Sequence, residues 1–257
     1  MFEATFEKAE LFCDVINAIA PLVTEISMRA SAKGIEVQQM DSAHVALVEL
    51  ALMPGCFAHY RCDHSLEMAM NVRDLQRIVK MIPKTSELTL KNYENPKKAE
   101  LEFHFDCGYD AIASLMLINL DQEVLGIPET DYSIRIDAER ATFHQLFANL
   151  GTNGDTSKFE VEDGGLVVTA KGEGGSFVAR LDGSKREGAV VVTRLNPIPP
   201  LEFSLKYLNK MTTASFCERV LFDINAETPA RITFVIDGEE GPSGALRFYL
   251  APKVSDE

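Results

Sequence analysis

The residues best equipped for chemistry are few and poorly grouped. Cys62-Asp63-His64 places three potential metal ligands in a row, but neighbours on an extended strand point to opposite faces and cannot close around one ion. Gly172-Glu173-Gly174-Gly175 is glycine-rich, yet it lies between alternating stretches and suits a hairpin turn better than a phosphate cradle. There is no G-x-x-x-x-G-K-[ST] loop, no strand-borne G-x-G-x-x-G and no H-E-x-x-H run. Asp and Glu together number 39, enough for chance proximity, so no carboxylate pair stands out as an acid–base couple. The sequence therefore reads as that of a protein with no catalytic residue, no metal and no cofactor.

Five cysteines, Cys13, Cys56, Cys62, Cys107 and Cys217, include no C-x-x-C pair and read as reduced thiols rather than a disulfide framework. No apolar run approaches the roughly 20 residues a membrane helix needs. The best, Val45 to Met53, is interrupted by Glu49. Met1-Phe2-Glu3-Ala4 opens without the basic and apolar regions of a signal peptide, which points to an intracellular protein with no membrane partner. A net charge of −14 repels nucleic acid on average, so any DNA-facing surface must be local.

Short alternating stretches set the scaffold: Phe2-Glu3-Ala4-Thr5-Phe6, Ile35-Glu36-Val37, Leu101-Glu102-Phe103-His104-Phe105, Phe177-Val178-Ala179-Arg180-Leu181 and Ile232-Thr233-Phe234-Val235-Ile236. They predict half-buried antiparallel strands. Four segments switch to a helical period: Phe12, Val15, Ile16 and Ile19; Leu75, Ile78, Val79 and Ile82; Phe143, Leu146, Phe147 and Leu150; and a shorter one with Leu208 and Met211. Each can lay one apolar face on a sheet. The order repeats. Phe12 and Phe143, Gly34 and Gly165, and Leu101 and Ile232 are each separated by 131 positions (143 − 12, 165 − 34, 232 − 101). Such self-similarity marks a duplicated unit. Asn119 to Glu129, acidic and carrying Gly126 and Pro128, reads as a surface connector. The expected organisation is a domain over 1–117, a connector over 118–131 and a second domain over 132–257.

The most informative surface is on the second predicted helix. Arg73, Arg77, Lys80 and Lys84 recur at i, i+4, i+7 and i+11, opposite the apolar stripe, and the matching helix of the second half carries Lys206 and Lys210. A single basic stripe is an ordinary solvated face, but matched stripes in an acidic, duplicated protein suit phosphate contacts that carry no base information. The first helices are poorer in charge, with Arg140 near the start of one and Gln145, Ala148 and Asn149 beyond it.

Several blocks, in order from end to end, resemble the proliferating cell nuclear antigen family of eukaryotic DNA sliding clamps. They are Met1-Phe2-Glu3-Ala4, Met40-Asp41-Ser42-Ala43-His44-Val45-Ala46-Leu47-Val48, Tyr60-Arg61-Cys62-Asp63, Leu125-Gly126-Ile127-Pro128-Glu129 with Tyr132, Leu205-Lys206-Tyr207-Leu208-Asn209 and Tyr249-Leu250-Ala251-Pro252-Lys253. The resemblance implies an α+β chain of two similar clamp domains, antiparallel sheets outside and two short helices each inside, three chains closing into a homotrimeric ring around duplex DNA. It implies a nuclear processivity factor for replication and repair that tethers DNA polymerase and other proteins carrying a short hydrophobic-aromatic motif, and that an ATP-dependent clamp loader threads onto DNA.

By position, the resemblance puts the partner-peptide groove at Met40, His44, Val45, Leu47, Leu125, Ile127, Pro128, Tyr132, Pro229, Tyr249, Ala251 and Pro252. It makes Arg73, Arg77, Lys80, Lys84, Arg140, Lys206 and Lys210 DNA-facing. It pairs the edge Tyr109 to Met116 with Gly175 to Asp182 of the next subunit, through Tyr109, Ala111, Ala113, Leu115, Gly175, Phe177, Ala179 and Leu181. The chain also departs from the family pattern. Cys13, Asp14 and Ala20 stand where lysines are usual, Gln145 and Ala148 where arginines are usual, and Glu162 where eukaryotic members carry a modifiable lysine. A weakly basic hole follows, and with it a second reading: a clamp-fold paralogue or hetero-ring subunit acting mainly as a docking platform.

Overall fold

The computed structural model describes residues 1–93, 99–120, 125–185, 187–238 and 241–253. Residues 121–124 of the expected connector lie outside them. The elements of the first half are β1 (Phe2–Phe6), α1 (Glu10–Ile19), β2 (Glu25–Ser31), β3 (Gly34–Met40), β4 (Ala46–Leu52), a 3-10 turn (Pro54–Cys56), β5 (His59–Cys62), β6 (Leu66–Asn71), α2 (Val72–Val79), β7 (Leu88–Asn92), β8 (Glu100–Asp106) and β9 (Asp110–Met116). The second half has β10 (Ile134–Glu139), α3 (Arg140–Gly151), β11 (Thr156–Glu162), β12 (Gly165–Gly172), β13 (Gly175–Asp182), β14 (Val190–Leu195), β15 (Leu201–Ser204), α4 (Leu205–Met211), β16 (Arg219–Ile224), β17 (Ala230–Gly238) and β18 (Gly241–Leu250).

Two compact units result. The first holds Met1–His44, Val48–Gly126 and Val235–Leu246; the second holds Val45–Leu47, Ile127–Phe234 and the chain from Arg247 on. Strands β4, β17 and β18 are divided between them, so the units interleave along the chain.

The first unit contains the antiparallel sheet β5-β1-β7-β8-β9 and the run β3-β2-β6. Helix α1 buries Phe12, Val15, Ile16 and Ile19 as the spacing predicts, with the Phe12 ring 5.6 Å from Phe6 and 6.1 Å from Phe103. Helix α2 is capped by Asn71, whose side chain accepts from the Arg73 N–H at 3.0 Å. It ends earlier than expected. Met81 donates to Ile78 O at 2.8 Å and Ile82 to Val79 O at 3.3 Å, a tightened last turn, and Pro83 has no N–H to continue it. Ile82 is buried all the same, but Lys80 is the C-cap and Lys84 lies beyond it, so only Arg73 and Arg77 of the basic stripe stand on the helix itself.

The second unit contains β13-β12-β11-β15 and β14-β10-β16-β17. Its centre is a cluster of rings: Phe222 lies 5.5 Å from Phe143, 6.0 Å from Phe147 and 5.8 Å from Phe159, all edge-on. Helix α3 buries Phe143, Phe147 and Leu150 but leaves Leu146 half-exposed. Helix α4 buries Leu205, Leu208 and Met211.

The duplication is visible in the ladders. Hairpin β2–β3 closes at Ser31 opposite Gly34, and β11–β12 closes at Glu162 opposite Gly165, the same separation of 131 (165 − 34). The turns differ in detail. Gly34 has φ +121°, and a Cβ there would meet Leu52 O at 2.0 Å. In the second turn the left-handed positions fall one or two residues earlier, on Asp163 and Gly164.

Candidate partner groove, helix faces and free strand edges

Six strands end their sheets among the described residues, β5, β9, β14, β6, β13 and β15; the two that carry the expected subunit joint are β9, paired to β8, and β13, paired to β12. Which backbone groups are free follows from the ladders. Leu117 N–H donates to Ala99 O and Cys107 N–H to Tyr109 O, so the odd positions of β9 bond to β8 and the even ones, Asp110, Ile112, Ser114 and Met116, direct N–H and C=O outward. Likewise Gly183 N–H donates to Gly164 O, leaving Ser176, Val178 and Arg180 as the outward positions of β13, while the Asp182 carbonyl accepts from Lys185 N–H at 3.4 Å. Ile112 is 64% exposed, Met116 65% and Val178 46%, unusual for large apolar side chains on an edge. The residues expected at a subunit joint all lie on the other parity. Leu115 is buried; Ala111, Ala113, Phe177, Ala179 and Leu181 are half-buried; Tyr109 and Gly175 are exposed.

The cations on the helices are less free than their spacing implied. Arg77 pairs with Asp74 at 2.7 Å. Lys84 is bound to Asp14 of α1, a buried carboxylate, and that bond raises the lysine pKa above its ordinary value. The Arg140 Nε donates to Cys217 O at 3.2 Å, and the Lys210 ammonium lies 5.9 Å from the Tyr207 ring centre. Arg73, Lys80 and Lys206 are exposed and engage no side chain among the described residues.

The expected groove residues divide between the units. In the first, Met40 is half-buried and His44 exposed, and His44 takes φ +57° in a turn where its N–H donates to Asp41 O at 3.1 Å. Leu125 is exposed, yet its backbone is held twice by one side chain: Gln38 Nε2 donates to Leu125 O at 2.9 Å and Gln38 Oε1 accepts from Leu125 N–H at 2.7 Å. The amide acts as a one-residue strand partner, fixing Leu125 of the connector beside β3.

In the second unit Val45, Pro128 and Pro229 are exposed, Ile127, Ala251 and Pro252 half-buried, and Leu47, Tyr132 and Tyr249 buried. Ala251 N–H donates to Val45 O at 3.0 Å, fixing the tail beside Val45. Arg194 holds the other end of the connector, bonding Asp131 and donating to Tyr132 O at 2.9 Å.

A family model for the proliferating cell nuclear antigen N-terminal domain matches residues 1–124, and one for its C-terminal domain matches residues 126–253. The chain belongs to the proliferating cell nuclear antigen family. The proliferating cell nuclear antigen of Caenorhabditis elegans is 30% identical over 263 residues, covering 100% of this chain and 98% of that protein. Members of this family are sliding clamps, not enzymes, with roles in DNA replication and repair.

The chemistry-bearing residues fit a clamp. Asp63 is taken up by Arg61 at 2.8 Å, and that bond, more than anything else, lowers its pKa. Burial pushes the thiols of Cys13 and Cys56 up to about 11, far from the range of an activated nucleophile. Reasoning from the sequence missed Gln38, Arg194 and the parity of the two edges. The alternation within Asp110 to Met116 held a clue to the parity. Nothing local marks Gln38 as the partner of a residue 87 positions away.

Proposed function

We propose that copies of this chain join head to tail into a closed homotrimeric ring that encircles duplex DNA in the nucleus, loaded by an ATP-dependent loader, and tethers polymerase and other motif-bearing partners through the groove residues. The observation that carries this is the exposure of Ile112 and Met116 on the edge strand β9 and of Val178 on the edge strand β13. A heterologous contact between β9 of one copy and β13 of the next removes both edges.

Only a register that sets even position against even position can use the outward groups. Asp110 opposite Arg180, with Ile112 opposite Val178 and Ser114 opposite Ser176, pairs charge with counter-charge and apolar with apolar. A shift of two residues one way would set Asp110 against Asp182. A shift the other way would set Asp110 against Val178. The deciding experiment is solution mass by light scattering over a range of concentrations. A constant mass of three chains supports the closed ring and a single chain throughout sinks it; loading onto nicked circular DNA then tests encirclement.

The shortage of free cations supports the second reading in one respect: direct DNA contact is weak. Each engaged phosphate contributes about 0.9 to the slope of log affinity against log salt, so the slope for this protein is expected to be shallow, and Lys206→Glu to make it shallower. A steep slope that Lys206→Glu leaves unchanged would put the contact elsewhere.

Groove function is expected to depend on Gln38. Gln38→Ala frees Leu125 and adds ordering entropy to docking, weakening a hydrophobic-aromatic peptide about threefold to tenfold by fluorescence polarisation. Unchanged affinity would mean that Leu125 does not contact the peptide.

A further inference from the structure

The second unit holds a buried carboxylate bound by two partly exposed arginines. Asp223 is fully buried on β16. The ladders place Arg135 of β10 directly opposite it on one side and Arg231 of β17 on the other, with Arg194 of β14 opposite Arg135. Arg135 Nε donates to Asp223 Oδ1 at 2.6 Å, while Arg231 donates to Oδ2 from Nε at 3.2 Å and from Nη2 at 2.8 Å. Each carboxylate oxygen is thus committed to one arginine. A charge so buried costs more than an apolar residue of similar size would.

The row of side chains ends at the candidate groove. The Arg231 guanidinium lies over the Tyr132 ring, 4.5 Å from its centre. That distance suits a cation–π contact, and the two bonds to Asp223 leave the fork little freedom to leave the ring. At the far end of the row Arg194 holds the Tyr132 carbonyl. The ring is held from one end of the row and the backbone from the other.

We propose that Asp223 is a positioning residue for partner docking: it fixes Arg231, and through Arg231 the Tyr132 ring, in the conformation the peptide groove needs. This rests on the groove reading. It makes docking sensitive to a carboxylate that no partner touches.

The test uses the full-length chain with Asp223→Asn, Arg231→Ala and Arg231→Met, and with Val168→Ala, a fully buried position on β12, as a control for lost stability alone. Two quantities are read under conditions where urea titration finds every variant folded: the Kd of a fluorescent peptide carrying a hydrophobic residue and an aromatic pair, and the NMR resonances of the 13C-labelled Tyr132 ring. Asp223→Asn is expected to weaken the peptide about tenfold, in the range of couplings between touching residues, and to shift Tyr132. Val168→Ala is expected to do neither. Arg231→Met, which keeps a cover on the ring, is expected to lose less than Arg231→Ala. The proposal is overturned if Asp223→Asn binds as the wild type does, if Val168→Ala loses as much, or if the Tyr132 resonances do not move. A wild-type chain that ignores the peptide would overturn the groove reading, while the Tyr132 resonances would still decide whether Asp223 holds the ring.

Discussion

Ser114→Pro is expected to leave the chain folded and single at concentrations where the unaltered chain has the mass of three. Ser114 lies on the outward parity of β9, so its N–H is not part of the ladder to β8. Proline on an edge strand, with its missing donor turned to solvent, is tolerated within a chain. Against a second copy the same substitution removes a bond and leaves a carbonyl of the neighbour unpaired, at about 1–3 kcal/mol, while the ring of the proline obstructs the approach. With one such contact per chain, the dissociation constant at each joint rises about a hundredfold at the upper end of that range.

Light scattering reads the mass, and circular dichroism confirms that the fold survives. If Ser114→Pro stays at three chains, β9 is not the joint. The register has its own check. Asp110→Arg faces Arg180 with a like charge and is expected to loosen the joint, and adding Arg180→Asp is expected to restore it. Failure of the double exchange, with each single change harmless, would remove Asp110 opposite Arg180 and with it the proposed alignment.

The second large effect is on stability. Phe222→Ala opens a cavity among Phe143, Phe147 and Phe159, which approach it from three sides. It is expected to lower the unfolding free energy by about 3–5 kcal/mol. Because a ring that binds only folded chains adds concentration-dependent stability, the comparison belongs in the Ser114→Pro background, by urea titration. A loss under about 1 kcal/mol would mean that the cluster collapses to fill the space.

Periodicity in the sequence located all four helices, because an apolar stripe every three or four residues has few other uses. It misjudged the end of α2, and it set α4 around Tyr207 to Thr213 where the helix runs Leu205–Met211. The pattern Leu75, Ile78, Val79, Ile82 continues through a tightened turn that buries Ile82 without helical backbone, and Pro83 was the available warning. The repeat at 131 was legible because the closing pairs of equivalent hairpins keep their spacing. The family was legible because its motifs are local runs of residues.

The charges behaved differently. Arg77, Lys84 and Arg140 all look available in the sequence, and each is engaged by Asp74, Asp14 or the Cys217 carbonyl. Only Asp74 is a sequence neighbour. An acidic chain has many carboxylates with which to neutralise its cations, and which of them does so depends on contacts between distant elements.

What the sequence determined by itself was therefore what rests on local order: strand alternation, helix stripes, the duplicated unit and the motifs that place the chain in its family. The tertiary structure decided which backbone groups at β9 and β13 remain open, how Gln38 holds Leu125, and that Asp223 joins three strands beneath Tyr132. The first and last of these depend on ladder register, the second on a side chain that reaches a residue 87 positions away, and in each the residue types carry no local sign of the pairing.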